Sequence, residues 1–238
     1  MKAMILAAGY GERMRPITDK IPKPLLPVNG KPILDYTLNL LKKNGIHEVV
    51  INIHHLPQMI VDTFGNGSSY GIKINYSHEK EVLGTAGGIK AAEVFLKDET
   101  FLVINSDIIV DIDIKKVLEF HRKNSAIITM VLREDKDVER YGAIEIDSDG
   151  RVRRFLGRPE YNGSLPLKRL MFTGIHIFEP DIFKEIPPDR YCGITEEIYP
   201  ELMKRNAPLY GYEFNGYWID IGTPERYERA KREVKTSP

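Results

Sequence analysis

Cysteine is almost missing from this chain: Cys192 is the only one among 238 residues, so no intrachain disulfide can form. That suits a reducing compartment. A surplus of either charge is missing too, with 34 basic residues against 34 acidic ones. Without a basic block, a broad electrostatic footprint for nucleic acid is excluded, and an anionic substrate must be gripped by a few placed cations and backbone N–H groups. No run approaches the roughly 20 apolar residues of a membrane helix. The apolar stretch between Met1 and Gly9 is too short for a signal peptide and runs into Gly-Tyr-Gly-Glu-Arg with no cleavage-like site. A cytoplasmic protein without nucleic-acid or membrane partners is expected. Repeats, low-complexity tracts and flexible linkers are absent as well, so residues 1–238 read as a single domain.

What is present is an alternation of strand-like and helix-like segments. Ala3 to Leu6 and Phe101 to Ile104 are short, fully apolar runs, as in strands covered on both faces. Val49 to Ile53 and Ile72 to Tyr76 add two more strands. Leu34, Leu38 and Leu41 recur at helical spacing behind Pro32, and Asn44-Gly45 supplies a left-handed stop. Shorter helices are expected over Met59 to Phe64 and Ile89 to Phe95. Beyond Ala126 the chain is richer in strands (Ala126 to Leu132, Ala143 to Ile146, Val152 to Phe155, Met171 to Phe178), with a hairpin turn at Asp149-Gly150. Helices return at Thr195 to Lys204 and Pro224 to Val234. The pattern predicts an α/β fold: a mostly parallel, Rossmann-like sheet with helices on both faces and a smaller β-rich substrate lobe.

The most informative stretch follows the first strand: Leu6-Ala7-Ala8-Gly9-Tyr10-Gly11-Glu12-Arg13, continuing to Pro22-Lys23-Pro24-Leu25-Leu26-Pro27-Val28. Ligands of open α/β sheets bind beyond the carboxyl ends of strands. Small residues at Ala7, Ala8, Gly9 and Gly11 let phosphate oxygens approach backbone N–H groups. Arg13 offers a bidentate fork and Lys23 a compact point charge. A lone Gly-x-Gly would read as an ordinary turn; strand, small residues, Arg and Pro-flanked Lys together read as a phosphate loop. Met14 stands where the dinucleotide fingerprint needs its third glycine, and the Lys-Ser/Thr ending of a P-loop is absent.

This stretch closely resembles the signature of the sugar-1-phosphate nucleotidylyltransferase family, and the resemblance extends to the last helix. It implies an enzyme that binds a nucleoside triphosphate and a sugar 1-phosphate and releases pyrophosphate, with Arg13 and Lys23 on the phosphates. It also implies Mg²⁺ on Asp107, after the Phe101 to Ile104 strand, and on Asp220, in Trp218-Ile219-Asp220-Ile221-Gly222-Thr223. Taken singly, each aspartate could merely satisfy backbone donors, and Asp111 and Asp113 read as the start of a helix near Ile114. A sugar-phosphate oxygen is already anionic, so the in-line attack on the α-phosphorus needs alignment and charge stabilisation rather than a strong base.

Glu79 aligns with the family's base-reading position, ahead of Gly84-Thr85. A carboxylate only accepts hydrogen bonds, which matches the adjacent N1–H and N2–H₂ donors of guanine better than uracil, so GTP is favoured slightly over UTP. A solvated loop carboxylate is the competing reading of Glu79. On the sugar side, Tyr141-Gly142 and Thr173-Gly174 match family positions; Glu196 is a candidate for the sugar hydroxyls, although capping a helix is its favoured role. Gly157-Arg158 replaces the usual Glu-Lys: a cation is retained, an acid is lost, and Lys168 or Arg169 are candidates to share the phosphate. The adjacent His54 and His55 should point to opposite faces of a strand, which argues against a metal pair; Trp218 and Cys192 read as packing residues. The chain ends soon after its last helix, leaving no room for the acyltransferase β-helix of some relatives; a homo-oligomer is compatible with the sequence. Two other readings stand beside catalysis on sugars: a nucleotidyltransferase acting on a different phosphate, and a regulatory nucleotide-sugar-binding homologue without catalysis. Retention of Arg13, Lys23, Asp107 and Asp220 speaks against the second.

Overall fold

The computed structural model describes residues 1–136, 138, 142–161, 163 and 166–234. In chain order the strands are β1 (Lys2–Leu6), β2 (Pro27–Val28), β3 (Lys31–Pro32), β4 (Glu48–Ile53), β5 (Lys73–His78), β6 (Phe101–Asn105), β7 (Ile108–Val110), β8 (Ile128–Arg133), β9 (Ala143–Ile146), β10 (Val152–Phe155), β11 (Lys168–Phe178), β12 (Leu209–Glu213) and β13 (Trp218–Asp220). The helices are α1 (Ile33–Lys43), α2 (Pro57–Phe64), α3 (Gly84–Ala91), α4 (Glu93–Leu96), α5 (Ile114–Lys123), α6 (Tyr199–Lys204) and α7 (Pro224–Glu233). The fold is of the expected α/β class, built on a large sheet. Two compact units are distinguished: the first holds residues 2–82, 104–112 and 216 onward, the second Met1, 83–103 and 113–215.

In the first unit β1, β4 and β5 are consecutive and parallel, with Leu6 opposite Asn52 and Ile53 opposite His78. Ala3, Met4 and Ile5 are fully buried, which is why that run carries no polar alternation. Helix α1 buries Ile33, Leu34, Leu38 and Leu41, each contributing about 2 kcal/mol by its removal from water. It stops at Asn44-Gly45, where Gly45 has φ +78° and Ile46 N–H reaches back to the Leu41 carbonyl. The long loop after β1 is a chain of three 3₁₀ turns, Glu12–Met14, Ile17–Asp19 and Lys23–Leu25. Met14 and Leu26 anchor it in a core shared with Ile109, Ile219, Ile221 and Tyr227. A two-strand ribbon, β7 with β13, sets Asp220 opposite Ile108.

The second unit is rich in strands. β9 pairs with β10 and β11, and β11 with β8, all antiparallel; β12 runs parallel to β8. The β9–β10 hairpin turns where Asp149-Gly150 predicts, with Gly150 N–H on the Asp147 carbonyl. Asp113 caps α5 by accepting from Lys115 N–H, as its position before Ile114 suggests. The single helix expected over Thr195 to Lys204 is in fact a wide turn, Ile194–Ile198, followed by α6. Pro200 has no N–H to give, so a regular α-helical ladder cannot run through this point.

Candidate active site

The first unit gathers the polyanion-binding candidates. β1 delivers Leu6, whose carbonyl accepts from Ser106 N–H (3.1 Å), and then turns into the small-residue loop. Ala7 N–H donates to Asn52 Oδ1 (2.7 Å), and Ala7 and Ala8 are buried. At Gly9 a Cβ would meet no atom of the structure within 4 Å and the backbone is not left-handed, so neither packing nor conformation demands glycine there. Gly11 differs. Its φ is +68°, and a Cβ would lie 2.9 Å from Thr18 Cγ2 and 3.6 Å from Lys23 Cβ. Thr18 holds the loop closed by donating to the Gly11 carbonyl (2.9 Å), and His55 Nε2 meets the Thr18 carbonyl at 2.7 Å.

Lys23 forms a hydrogen-bonded ion pair with Asp107, both side chains largely sheltered from water. Asp107 lies in the turn between β6 and β7. Its own carbonyl accepts from Ile221 N–H (2.7 Å), next to Asp220. A regular ladder would send Asp107 and Asp220 to opposite faces, but Asp107 lies outside the strand and is not bound by that alternation. Asp220, at the end of β13, is paired through Oδ1 with Arg226 in the first turn of α7. Its Oδ2 lies 2.7 Å from the place a Cβ would occupy on Gly222, and Arg13 Nη2 lies 3.2 Å from that same place. Glycine at 222 is therefore what lets the Asp220 carboxylate and the Arg13 guanidinium close over the backbone. Gly11, Arg13, Lys23, Asp107 and Asp220 thus form one connected group within this unit.

Glu79 is buried, not a solvated loop carboxylate: the residue is 6% exposed and Asn52 Nδ2 donates to Oε1 at 2.6 Å. Asn52 therefore bridges the small-residue loop and the base-reading candidate. The His54 ring continues the chain, with Nδ1 2.9 Å from the Glu79 carbonyl and Nε2 2.9 Å from the Tyr10 hydroxyl. A carbonyl only accepts, so in the neutral ring Nδ1 carries the proton and Nε2 accepts from Tyr10. The two histidines do not alternate across a strand: both lie past the end of β4 and both rings pack against Tyr10, at centroid distances of 5.2 and 5.9 Å, although their hydrogen-bond partners differ.

In the second unit, Gly84 (φ +75°) opens α3 and packs so closely that a Cβ would lie 2.6 Å from the Cys192 carbonyl. That carbonyl accepts from Ala86 and Gly87 N–H (3.0 and 3.1 Å), and Thr85 Oγ1 accepts from Ile194 N–H (2.9 Å). The start of α3 is thus docked onto the segment that carries Glu196. Cys192 is fully buried and burial pushes its thiol up, in keeping with a packing role. Gly142 (φ +87°) precedes β9; Tyr141 lies outside the described residues. Leu156 (φ +51°) and Gly157 (φ +76°) form a two-residue turn that ties Arg158 to Phe155 through both backbone bonds (2.7 and 2.9 Å). Leu156 N–H on the Ala143 carbonyl holds this turn beside Gly142. Thr173 and Gly174 (φ +85°) fall where the β11–β8 register breaks. The Thr173 hydroxyl donates to the Val131 carbonyl (2.8 Å) and is buried, so close approach at this turn falls to Gly174. Lys168 sits between Glu213 (2.5 Å) and Glu134 (2.9 Å), and Arg169 lies 4.0 Å from Glu145.

Two participants escaped the sequence reading. Asn52 looks like one more strand residue, although a polar side chain in an apolar run was a signal. Arg226 sits in a helix whose surface is full of charge, and nothing local marks it. No helix among the described residues is long and apolar enough to cross a membrane.

The chain matches the family model described as "Nucleotidyl transferase" over residues 2–237. It belongs to the nucleotidyl transferase family. It is 34% identical to a UTP–glucose-1-phosphate uridylyltransferase of Synechocystis sp., covering 98% of this chain and 63% of that protein. It is equally 34% identical to a mannose-1-phosphate guanylyltransferase of Mycobacterium tuberculosis, covering 98% of this chain and 64% of the relative. The chain therefore spans just under two thirds of the length of these relatives. Among solved structures, HddC from Yersinia pseudotuberculosis complexed with GMP-PN superposes with a TM-score of 0.82 at 27% identity, covering 98% of this chain and 99% of that one. The family assignment agrees with the resemblance carried by residues 6–28.

The cation implied by the family can be tested against the donors present. Two carboxylates, Asp107 and Asp220, occupy neighbouring backbone positions across the 107–221 hydrogen bond. Among the described residues no group of three or more His, Cys, Asp or Glu could hold a metal. One or two carboxylates completed by substrate phosphates and water is how Mg²⁺ is commonly held. The donor set fits.

Proposed function

We propose that this nucleotidyl transferase moves a nucleoside monophosphate from a nucleoside triphosphate to a sugar 1-phosphate, releasing pyrophosphate, with Mg²⁺ as cofactor and GTP favoured over UTP. The observation that carries the reading is the group of Arg13, Lys23, Arg226, Asp107 and Asp220 within the first unit. Three cations and two carboxylates suit a metal–triphosphate complex and little else. Arg13 and Lys23 align the triphosphate and stabilise charge on the departing pyrophosphate. Asp107 and Asp220 would hold Mg²⁺, which when bound neutralises charge at the reacting phosphorus. Glu79, fixed by Asn52, accepts from N1–H and N2–H₂ of guanine. Gly142, Arg158, Gly174 and Glu196 belong to the sugar-phosphate side, and a cytoplasmic location goes with this chemistry. The two relatives carry different nucleotides and sugars in their names, so the substrate pair is decided by assay.

The test is pyrophosphate release over a matrix of nucleoside triphosphates and hexose, heptose and amino-sugar 1-phosphates. GTP with one sugar class is expected to dominate. Asp107→Asn and Asp220→Asn should each lower kcat by at least about a hundredfold in a folded protein. Full magnesium-dependent turnover in either variant would remove that residue from the metal site.

A further inference from the structure

Asp220 is the more crowded of the two carboxylates. Its Oδ1 is taken by Arg226, and Oδ2 closes over Gly222 beside Arg13. The Arg226–Asp220 pair is sheltered, with side chains 17% and 14% exposed. Arg226 is delivered by construction: Thr223 caps α7 by accepting from Arg226 N–H (3.4 Å), and Pro224 occupies the first turn. Six residues after Asp220, the guanidinium is brought back over the end of β13. Asp107 is matched in the same way by Lys23. Each carboxylate that a cation would need is thus already neutralised by the chain itself.

Resting on the proposed nucleotidyl transfer, we infer that Arg226 is a positioning residue that competes with the divalent cation for Asp220, so that the cation enters with the triphosphate rather than alone. An ion arriving by itself must displace a guanidinium held in a charge-assisted hydrogen bond, and among the described residues no third His, Cys, Asp or Glu joins the two carboxylates to reward it. An ion arriving on a triphosphate brings part of its own coordination shell. The polyanion also gives the displaced guanidinium a new partner. Arg226 therefore couples cation affinity to nucleotide affinity, and the coupling must be reciprocal.

The experiment measures Mn²⁺ binding to the full chain by electron paramagnetic resonance, with and without a non-hydrolysable nucleoside triphosphate, in wild type, Arg226→Gln, Arg226→Lys and Asp220→Asn. Removing a charge-assisted bond should tighten binding of Mn²⁺ alone by about tenfold in Arg226→Gln, and the gain in Mn²⁺ affinity on adding nucleotide should shrink by the same factor. Arg226→Lys keeps charge and helix and should fall between. KM for the metal–nucleotide should shift more than kcat. Unchanged Mn²⁺ affinity in both Arg226 variants, while Asp220→Asn loses the site, overturns the inference and leaves the proposed activity standing. Unchanged Mn²⁺ binding in Asp220→Asn removes the metal reading of Asp220, and the inference with it.

Discussion

At the scale of single residues, the site depends on what is missing as much as on what is charged. Gly222 has ordinary backbone geometry, yet a Cβ there would come within 2.7 Å of Asp220 Oδ2. Gly222→Ala must push the carboxylate or Arg13 aside, and a displacement of about 1 Å is worth roughly a hundredfold in rate. The expected result is that loss in kcat/KM with little change in melting temperature; an active Gly222→Ala enzyme would mean that the close approach of Asp220 and Arg13 is not used. Asn52 is the second case. Asn52→Ala leaves the buried Ala7 N–H and Glu79 carboxylate without their bridge, at a cost of about 1–3 kcal/mol in denaturant unfolding. It should also erode discrimination between GTP and ITP, which lacks the N2 amino group. Equal discrimination in wild type and variant would show that Glu79 does not read that group.

At the scale of elements, two glycines that look alike in the sequence make opposite demands. Gly84 is left-handed and pressed against Cys192, so Gly84→Ala should destabilise the start of α3 by more than about 1 kcal/mol. Gly9→Ala meets nothing, so its stability should stay within about 0.5 kcal/mol of wild type, while KM for the triphosphate rises. Unfolding curves and nucleotide titrations of the two variants test this contrast. The buried strands β1, β4 and β6 were legible because an apolar run bounded by turns has few other uses. β12 was not, because one of its two buried positions is Gly211, where a Cβ would strike Leu132 at 2.4 Å: a glycine that serves as core reads as a breaker. β7 and β13 were hidden for another reason. Three residues each show no periodicity, and their partners lie about a hundred residues away in sequence. For the same reason the motifs around Asp107 and Asp220 suggested a shared cation, but not that Lys23 and Arg226 already hold those carboxylates.

At the scale of the whole molecule, the fold's pH dependence follows from the individual groups whose pKa folding shifts, and near neutrality these include two buried histidines. His176 is fully buried, bonded through Nδ1 to the Tyr199 hydroxyl (2.5 Å) and packed against Phe172 and Phe178. Burial pushes its pKa down from 6.5 to about 3. His121, between Thr129 and Glu179, is also lowered by burial, with Glu179 opposing the shift. Between about pH 3 and 6.5 the unfolded chain therefore binds a proton at His176 that the folded chain refuses. Stability must rise with pH across that window and be lost as pH falls, by up to about 1.4 kcal/mol per pH unit for one such group. The cleanest interval is pH 6.5 down to 5, above the range where carboxylates begin to titrate. His176→Gln lowers absolute stability at pH 8 by disturbing the core, so the slope is the readout that matters. Unfolding free energies measured at half-unit steps should show a shallower fall in His176→Gln than in wild type, and a smaller flattening in His121→Gln because Glu179 already favours the charged ring. Parallel slopes for wild type and His176→Gln would mean that the imidazole finds a proton in the folded state, and that the buried His176–Tyr199 pair opens to water well above pH 5.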